Sequence, residues 1–102
     1  MKKKIIILGS TGSLGKSTLD IISNNKKNYS IELLVANKNF KTIYKQVIKF
    51  KPKFVYLADN NYSRRLSILL RNKKTRIITN FEEINKKISK SDIMMSAITG
   101  LD

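Results

Sequence analysis

Apolar runs alternate with helical periodicity along the whole chain, and no Gly/Ser/Pro-rich linker, repeat or low-complexity block interrupts them. Residues 5–8 predict a first strand. Leu14, Thr18, Ile21 and Ile22 recur at i, i+4, i+7 and i+8, which predicts a helix that lays this stripe on a sheet and is closed by Asn24 and Asn25. Residues 31–36 predict a second strand. Asn39 then caps a helix with Phe40, Ile43, Tyr44, Val47 and Ile48 on one face, ended by the lone proline, Pro52. Residues 54–58 predict a third strand, followed by a helix with Tyr62, Leu66, Leu69 and Leu70 on one face. Residues 76–79 predict a fourth. Asn80, with Glu83 three residues on, has the pattern of a capping box and opens a short helix bearing Phe81, Ile84 and Ile88. Residues 93–95 begin a fifth strand.

Strands joined through helices run parallel, because each crossover returns the chain to the same end of the sheet. The expected fold class is α/β: a doubly wound parallel sheet, Rossmann-like and incomplete, with five strands alternating with helices. In such sheets a ligand sits beyond the carboxyl ends of the strands. The positions to read for function are therefore residues 9–15, 36–39, 58–60 and 96–100.

The first of these is the most telling, since Gly9, Gly12 and Gly15 stand three apart directly after the first apolar run. A buried strand entering a glycine bend and then a helix is a phosphate-binding arrangement. The glycines admit a ligand close to the backbone, and the helix aims free N–H groups and the positive end of its dipole at an anion. Two readings compete. A triphosphate-binding loop of the form GxxxxGK[ST] would need glycine at Ser10, so the match with Gly15, Lys16 and Ser17 fails by one residue. An apolar strand ending in Asp59 nonetheless imitates the magnesium-facing aspartate of such proteins, which keeps an ATP-binding module as an alternative. In the dinucleotide reading, GxxGxxG, Gly9 makes the turn, Gly12 permits approach to a pyrophosphate and Gly15 lets the helix pack closely.

The end of the second strand sharpens the dinucleotide reading. NAD-binding domains place Asp or Glu there to grip the ribose 2′-hydroxyl, whereas this chain has Asn37, Lys38 and Asn39. A carboxylate would repel a 2′-phosphate; a lysine and two amides favour it, and so NADP over NAD. The competing account is that Lys38 is one solvated lysine among many and Asn39 only a helix cap.

Composition narrows the classes. With 102 residues and 41% hydrophobic content the chain makes one domain or part of one. It has neither cysteine nor histidine, which excludes disulfides, thiolate or imidazole metal sites and Ser/His or Cys/His catalytic pairs within these residues. A carboxylate metal site stays possible in principle. No apolar stretch is long enough for a membrane span or a signal-peptide core, so the expected location is cytoplasmic, with no membrane partner. The formal charge of +14 suggests a polyanion partner. Lys, Asn and Ile, however, supply 42 of the 102 residues, as A/T-rich coding drift would produce. The lysines are also scattered, without an arginine stripe or interleaved aromatics, which argues against nucleic acid. A basic polyanion-binding domain remains the other alternative.

Three segments occur in an order that carries a family likeness: LGSTGSLGKSTLDII at residues 8–22, VANKN at 35–39 and MSAITGLD at 95–102. With these the chain resembles the amino-terminal part of the 1-deoxy-D-xylulose 5-phosphate reductoisomerases. The resemblance implies that residues 1–102 are an amino-terminal NADP(H)-binding domain, truncated at its carboxyl end, with the catalytic and carboxy-terminal domains absent. It implies that Thr11, Gly12, Ser13 and Leu14 contact the NADPH phosphates within the turn formed by Gly9, Ser10 and Gly15. Lys38 and Asn39 would hold the adenosine 2′-phosphate end, and Ala97 and Ile98 would lie near the nicotinamide. Two departures are visible: Leu14 stands where isoleucine is usual, and Asn37 where glycine is common, at a position that favours φ > 0.

The family reaction rearranges 1-deoxy-D-xylulose 5-phosphate and reduces it with NADPH to 2-C-methyl-D-erythritol 4-phosphate for isoprenoid synthesis. Mg²⁺ or Mn²⁺ holds the sugar phosphate substrate in that family, and the resemblance implies a homodimeric parent. By this likeness the metal ligands and the substrate-phosphate site lie beyond the region covered, so no catalytic residue and no metal ligand is assigned here. Asp20 falls on the first helix, Glu32 inside the second strand, and Glu82 and Glu83 in a helix first turn where the dipole favours them. Asp59 is read as a turn residue at a strand end. The chain alone is expected to be inactive and, with its sheet incompletely covered, to expose apolar surface.

Overall fold

A computed structural model describes residues 2–97, Phe81 by its backbone alone. Strands and helices alternate as β1 (Lys3–Leu8), α1 (Ser13–Ser23), β2 (Tyr29–Ala36), α2 (Phe40–Phe50), β3 (Phe54–Leu57), α3 (Asn60–Leu69), β4 (Arg76–Ile77), α4 (Phe81–Lys90) and β5 (Ile93–Ser96). All ladders are parallel and the strand order is β4-β3-β2-β1-β5. The order reverses beside β1: the first crossovers step away from it on one side, and the last returns past it to the other. This is the doubly wound arrangement expected, with its crevice at the carboxyl ends of β1 and β5.

Side chains alternate across the sheet and sort into two cores. Ile5 and Ile7 of β1 face Leu19 and Ile22 of α1, Ile43 and Val47 of α2, and Leu66 and Leu70 from α3 and its end. Ile6 and Leu8 face the opposite way, onto Leu33, Ile78 and the α4 residues Ile84 and Ile88. Three helices therefore cover one face and a single helix the other. Each fully buried Ile or Leu contributes about 1.5–3 kcal/mol. Lys87 of α4 adds an ammonium 3.9 Å from the Phe54 ring centroid on β3.

The α2 and α4 stripes largely face the core as predicted, Phe40, Ile43, Tyr44 and Val47 on one and Ile84 and Ile88 on the other, whereas α1 is rotated for a steric reason and α2 and α3 depart at single positions. On α1 the inward residues are Gly15, Leu19 and Ile22, while Leu14 and Ile21 are 58% and 63% exposed. A Cβ on Gly15 would come within 2.3 Å of the Gly9 carbonyl oxygen, so α1 must turn that glycine toward the bend. Leu19 and Ile22 follow one and two turns later on the same side. On α2, Gln46 is buried between Ile43 and Val47, and Ile48 is turned outward. On α3, Ser63, Leu66 and Leu70 point inward; Tyr62 and Leu69 sit at the rim.

The ends of elements follow the predicted chemistry more closely. Asn24 caps α1, and the Asn25 side chain donates 2.9 Å to the Ile21 carbonyl. The Asn39 side chain accepts from Thr42 N–H. Asn80 caps α4 as expected but accepts from Glu82 N–H, while Glu83 N–H goes to the Asn80 carbonyl and not to the side chain as a capping box requires. Strands β3 and β4 are shorter than expected, and β2 begins two residues earlier. β2 also carries an irregularity: Ile5 pairs with Ile31 but Ile6 with Leu33, so Glu32 is an extra residue in the ladder. Its side chain is buried, with Oε2 unbonded among the described residues.

Candidate functional site

The turn after β1 is built from backbone. Gly9 takes φ 83°, a left-handed conformation that glycine adopts without steric cost, and reverses the chain directly beyond Leu8. The N–H groups of Gly9 and Ser10 both donate to the Val35 carbonyl, at 2.7 and 3.1 Å, which fixes the bend against the end of β2. Gly12 is the N-cap of α1 and brings no side-chain acceptor. The N–H groups of Ser13 and Leu14, at the start of the helix, have no intrahelical partner by helix geometry, so the helix presents donors and a partial positive charge to the crevice. Thr11 and Gly12 are half-buried, and Ser13 and Leu14 are exposed there. Gly15 is buried; it meets the Gly9 and Ser10 backbone, so its place in the site is to let α1 approach the bend.

One supporting residue has no counterpart in the sequence reading. Gln46 of α2 donates 2.8 Å from Nε2 to the Ser10 carbonyl, which is wholly buried. A polar residue at i+3 from Ile43 and beside Val47 was the available signal. Ser10 Oγ and Gln46 Oε1 are buried without a hydrogen-bond partner among the described residues, so the tether is polar on both sides and only partly satisfied there.

The end of β2 lies alongside. Asn37, Lys38 and Asn39 are exposed. The Asn37 carbonyl accepts from Asp59 N–H at 2.8 Å, linking the ends of β2 and β3. The expectation of a left-handed backbone at Asn37 is corrected: among the described residues Lys51 alone combines a side chain with positive φ. Asn37 therefore stands at this position without backbone strain. Lys38 and Asn39, with Phe40, Lys41, Tyr62 and Arg65, line a cavity of about 280 Å³.

The last sequence-predicted positions fall at β5. The Ala97 N–H donates 2.7 Å to the Leu8 carbonyl, and Ala97 is buried at the side of the crevice opposite β2. Ile98 lies outside the described residues.

The carboxylates have structural places. Asp59 caps α3, its Oδ1 accepting from Tyr62 N–H at 3.0 Å. That bond accounts for the aspartate that imitated a magnesium ligand. Asp92 Oδ2 accepts from Lys4 N–H at 2.7 Å while its own N–H donates to the Lys4 carbonyl, tying β5 to β1. Glu82 and Glu83 occupy the first turn of α4. Among the described residues no three acidic side chains gather where a metal ion could be held, and no helix is long and apolar enough to cross a membrane. A cavity of about 540 Å³ opens at the amino ends of β3 and β4 between Lys51, Lys53, Lys73 and Lys74, the wrong end of a parallel sheet for a nucleotide.

Comparison with known proteins points the same way as the geometry. The family model for 1-deoxy-D-xylulose 5-phosphate reductoisomerase matches residues 5–102. The reductoisomerase of Pelagibacter ubique (strain HTCC1062) is 46% identical over 103 aligned residues, covering 98% of this chain and 26% of that protein. The chain thus spans about a quarter of the length of the curated relatives it matches. Among solved structures, the Zymomonas mobilis reductoisomerase in complex with NADPH superposes with a TM-score of 0.86 at 27% identity, over 96% of this chain and 26% of that one. A reductoisomerase in complex with NADPH, fosmidomycin and magnesium gives 0.81 at 25% identity, over 94% of this chain and 24% of that one. Neither the triphosphate-loop reading nor the polyanion reading gains support from these likenesses.

Proposed function

The chain belongs to the 1-deoxy-D-xylulose 5-phosphate reductoisomerase family, and from that premise we propose that it is the NADPH-binding portion of such an enzyme. The observation that carries the reading is the double hydrogen bond from Gly9 and Ser10 to the Val35 carbonyl. It sets a donor-rich turn at the start of α1 beside a strand end that offers a lysine and two amides instead of a carboxylate. The residues fit the cofactor in kind: free N–H groups where a pyrophosphate needs donors, and cations where a 2′-phosphate needs them.

In this reading Gly9, Ser10, Thr11, Gly12, Ser13, Leu14 and Gly15 form the pyrophosphate cradle, Gly9 and Gly15 by shaping it. Asn37, Lys38 and Asn39 receive the adenosine 2′-phosphate. Ala97 borders the nicotinamide side, and the family likeness alone assigns Ile98 to the same role. NADPH supplies a hydride for reduction of a carbonyl carbon. The chain's own contribution is to hold the cofactor by its phosphates and fix its orientation in the crevice between β1 and β5.

The parent reaction is the rearrangement and reduction of 1-deoxy-D-xylulose 5-phosphate to 2-C-methyl-D-erythritol 4-phosphate in isoprenoid biosynthesis. The described carboxylates do not fit its Mg²⁺ or Mn²⁺, since no three of them gather and Asp59 and Asp92 are already hydrogen-bonded. In this reading the metal ligands and catalytic residues belong to parts of the parent enzyme outside this chain, which serves as part of the cofactor domain and is inactive alone. A cytoplasmic, homodimeric parent completes the reading.

Calorimetric titration of the chain with NADPH, NADH and ATP, at a salt concentration that screens nonspecific attraction, tests it. NADPH is expected to bind well above the other two. A preference for magnesium-ATP, or equal affinity for NADPH and NADH, overturns it.

A further inference from the structure

Arg65 lines the cavity at the end of β2 but has no role in the cofactor reading given so far. It projects from α3, and its guanidinium carbon lies 5.3 Å from the Phe40 ring centroid and 5.9 Å from that of Tyr62. The two rings are themselves stacked, with centroids 6.0 Å apart and planes inclined by 23°. Phe40 begins α2, immediately after Asn39, so this aromatic pair joins the first turns of two neighbouring helices at the carboxyl edge of the sheet. The resulting cavity is lined by Lys38, Lys41 and Arg65 together with Asn39, and among the described residues no acidic side chain lines it.

We propose that Arg65, held on the Phe40–Tyr62 pair, is a specificity-determining residue that binds the 2′-phosphate of NADPH from the α3 side, opposite Lys38. The proposal rests on the NADPH reading above and deepens it. A guanidinium stacked on aromatic faces keeps its edge donors available, and the stack supplies part of the cost of desolvating it. Its planar fork matches two phosphate oxygens at once, which a lysine cannot do. The ribose of a bound dinucleotide ends just beyond the second strand of such a sheet, where an arginine accommodates the additional phosphate. Lys38 and Lys41 contribute charge, and Arg65 contributes direction. Phe40 and Tyr62 are positioning residues, acting through the orientation of the guanidinium.

The test is the ratio of NADPH to NADH affinity, measured by calorimetry on the whole chain and on Arg65→Gln and Arg65→Lys. Loss of a charged hydrogen-bonding partner predicts that Arg65→Gln weakens NADPH binding by about tenfold or more and leaves NADH binding unchanged, with Arg65→Lys between them. A wild-type chain with no NADPH preference overturns the cofactor reading and Arg65 with it. A wild-type preference that survives intact in Arg65→Gln, or equal losses for both nucleotides, overturns Arg65 alone. Should the variants fold poorly, the wild-type chain decides. The Arg65 side-chain Nε–H resonance must shift on adding 2′,5′-ADP and stay in place with 5′-AMP; the same response to both, or to neither, refutes the contact.

Discussion

The glycine turn and the cavity at the end of β2 share one edge of the sheet but are made of different material. The turn is backbone. Its shape depends on Gly9 at φ 83°, on Gly15 lying against the Gly9 carbonyl, and on two N–H groups held by Val35. The cavity is side chain, drawn from α2 and α3 and organised by aromatic stacking. A backbone cradle recognises what all dinucleotides share, a pyrophosphate, and tolerates almost no substitution at the two glycines that shape it, Gly9 and Gly15. A side-chain pocket recognises what distinguishes them, a 2′-phosphate, and can be altered without unfolding the sheet.

That contrast breaks most visibly at Gly15. A Cβ there would lie 2.3 Å from the Gly9 oxygen and 2.6 Å from the Ser10 Cα, both backbone atoms that cannot swing aside. Gly15→Ala is expected to cost about 3 kcal/mol or more, because α1 must lift from the bend and take its core contacts with it. The melting temperature should fall by roughly 15 °C, and binding of NADPH and NADH should be lost together. A variant that melts like the wild type would show that α1 is not seated on the turn.

Lys38→Glu probes the other region, with the next largest effect and the opposite signature. A cation facing a phosphate becomes a carboxylate facing it, so NADPH affinity is expected to fall by about a hundredfold while NADH binding changes little. Because Lys38 is exposed, melting should hardly move. Equal losses for both nucleotides would place the lysine outside the 2′-phosphate site. Between the two regions stands Gln46, whose bond to the buried Ser10 carbonyl braces the turn from α2. Gln46→Leu leaves that carbonyl unpaired but also removes the unbonded Gln46 Oε1, so the net loss falls near about 1 kcal/mol. Thermal melting checks the magnitude, and faster amide exchange across residues 9–15 checks the place.

The two regions also differ in how far they could be read from the chain. The turn was legible because glycine spacing after an apolar run constrains backbone directly, and the strands because their apolar runs are short and cleanly bounded. The rotation of α1 was not: an apolar stripe of Leu14, Thr18, Ile21 and Ile22 is a reasonable face until Gly15 is required to touch Gly9. The extra residue at Glu32 was hidden for a related reason, since a bulge changes register without changing composition. Lys38 and Asn39 were legible as the end of a strand. Arg65 was not, because it meets Phe40 only through the packing of α3 on α2, and no local pattern records a contact across 25 positions.

The smallest expected effect falls at Asp59, which the sequence offers as a strand-end turn residue or a ligand and which the structure shows as the cap of α3. Its Oδ1 accepts from Tyr62 N–H at 3.0 Å, and Tyr62 carries one ring of the stack beneath Arg65. Asp59→Ala removes the cap and should cost about 1 kcal/mol. Asp59→Asn keeps an oxygen in the same place and discards only the charge, so its cost should be a few tenths of a kcal/mol, roughly the value of a carboxylate at a helix start. A metal-facing aspartate would give a different pattern: both variants would abolish magnesium-dependent nucleotide binding, and the asparagine would be no milder than the alanine. Melting and titration on the two variants therefore separate the roles, and a mild asparagine with a weakened alanine leaves Asp59 to the helix.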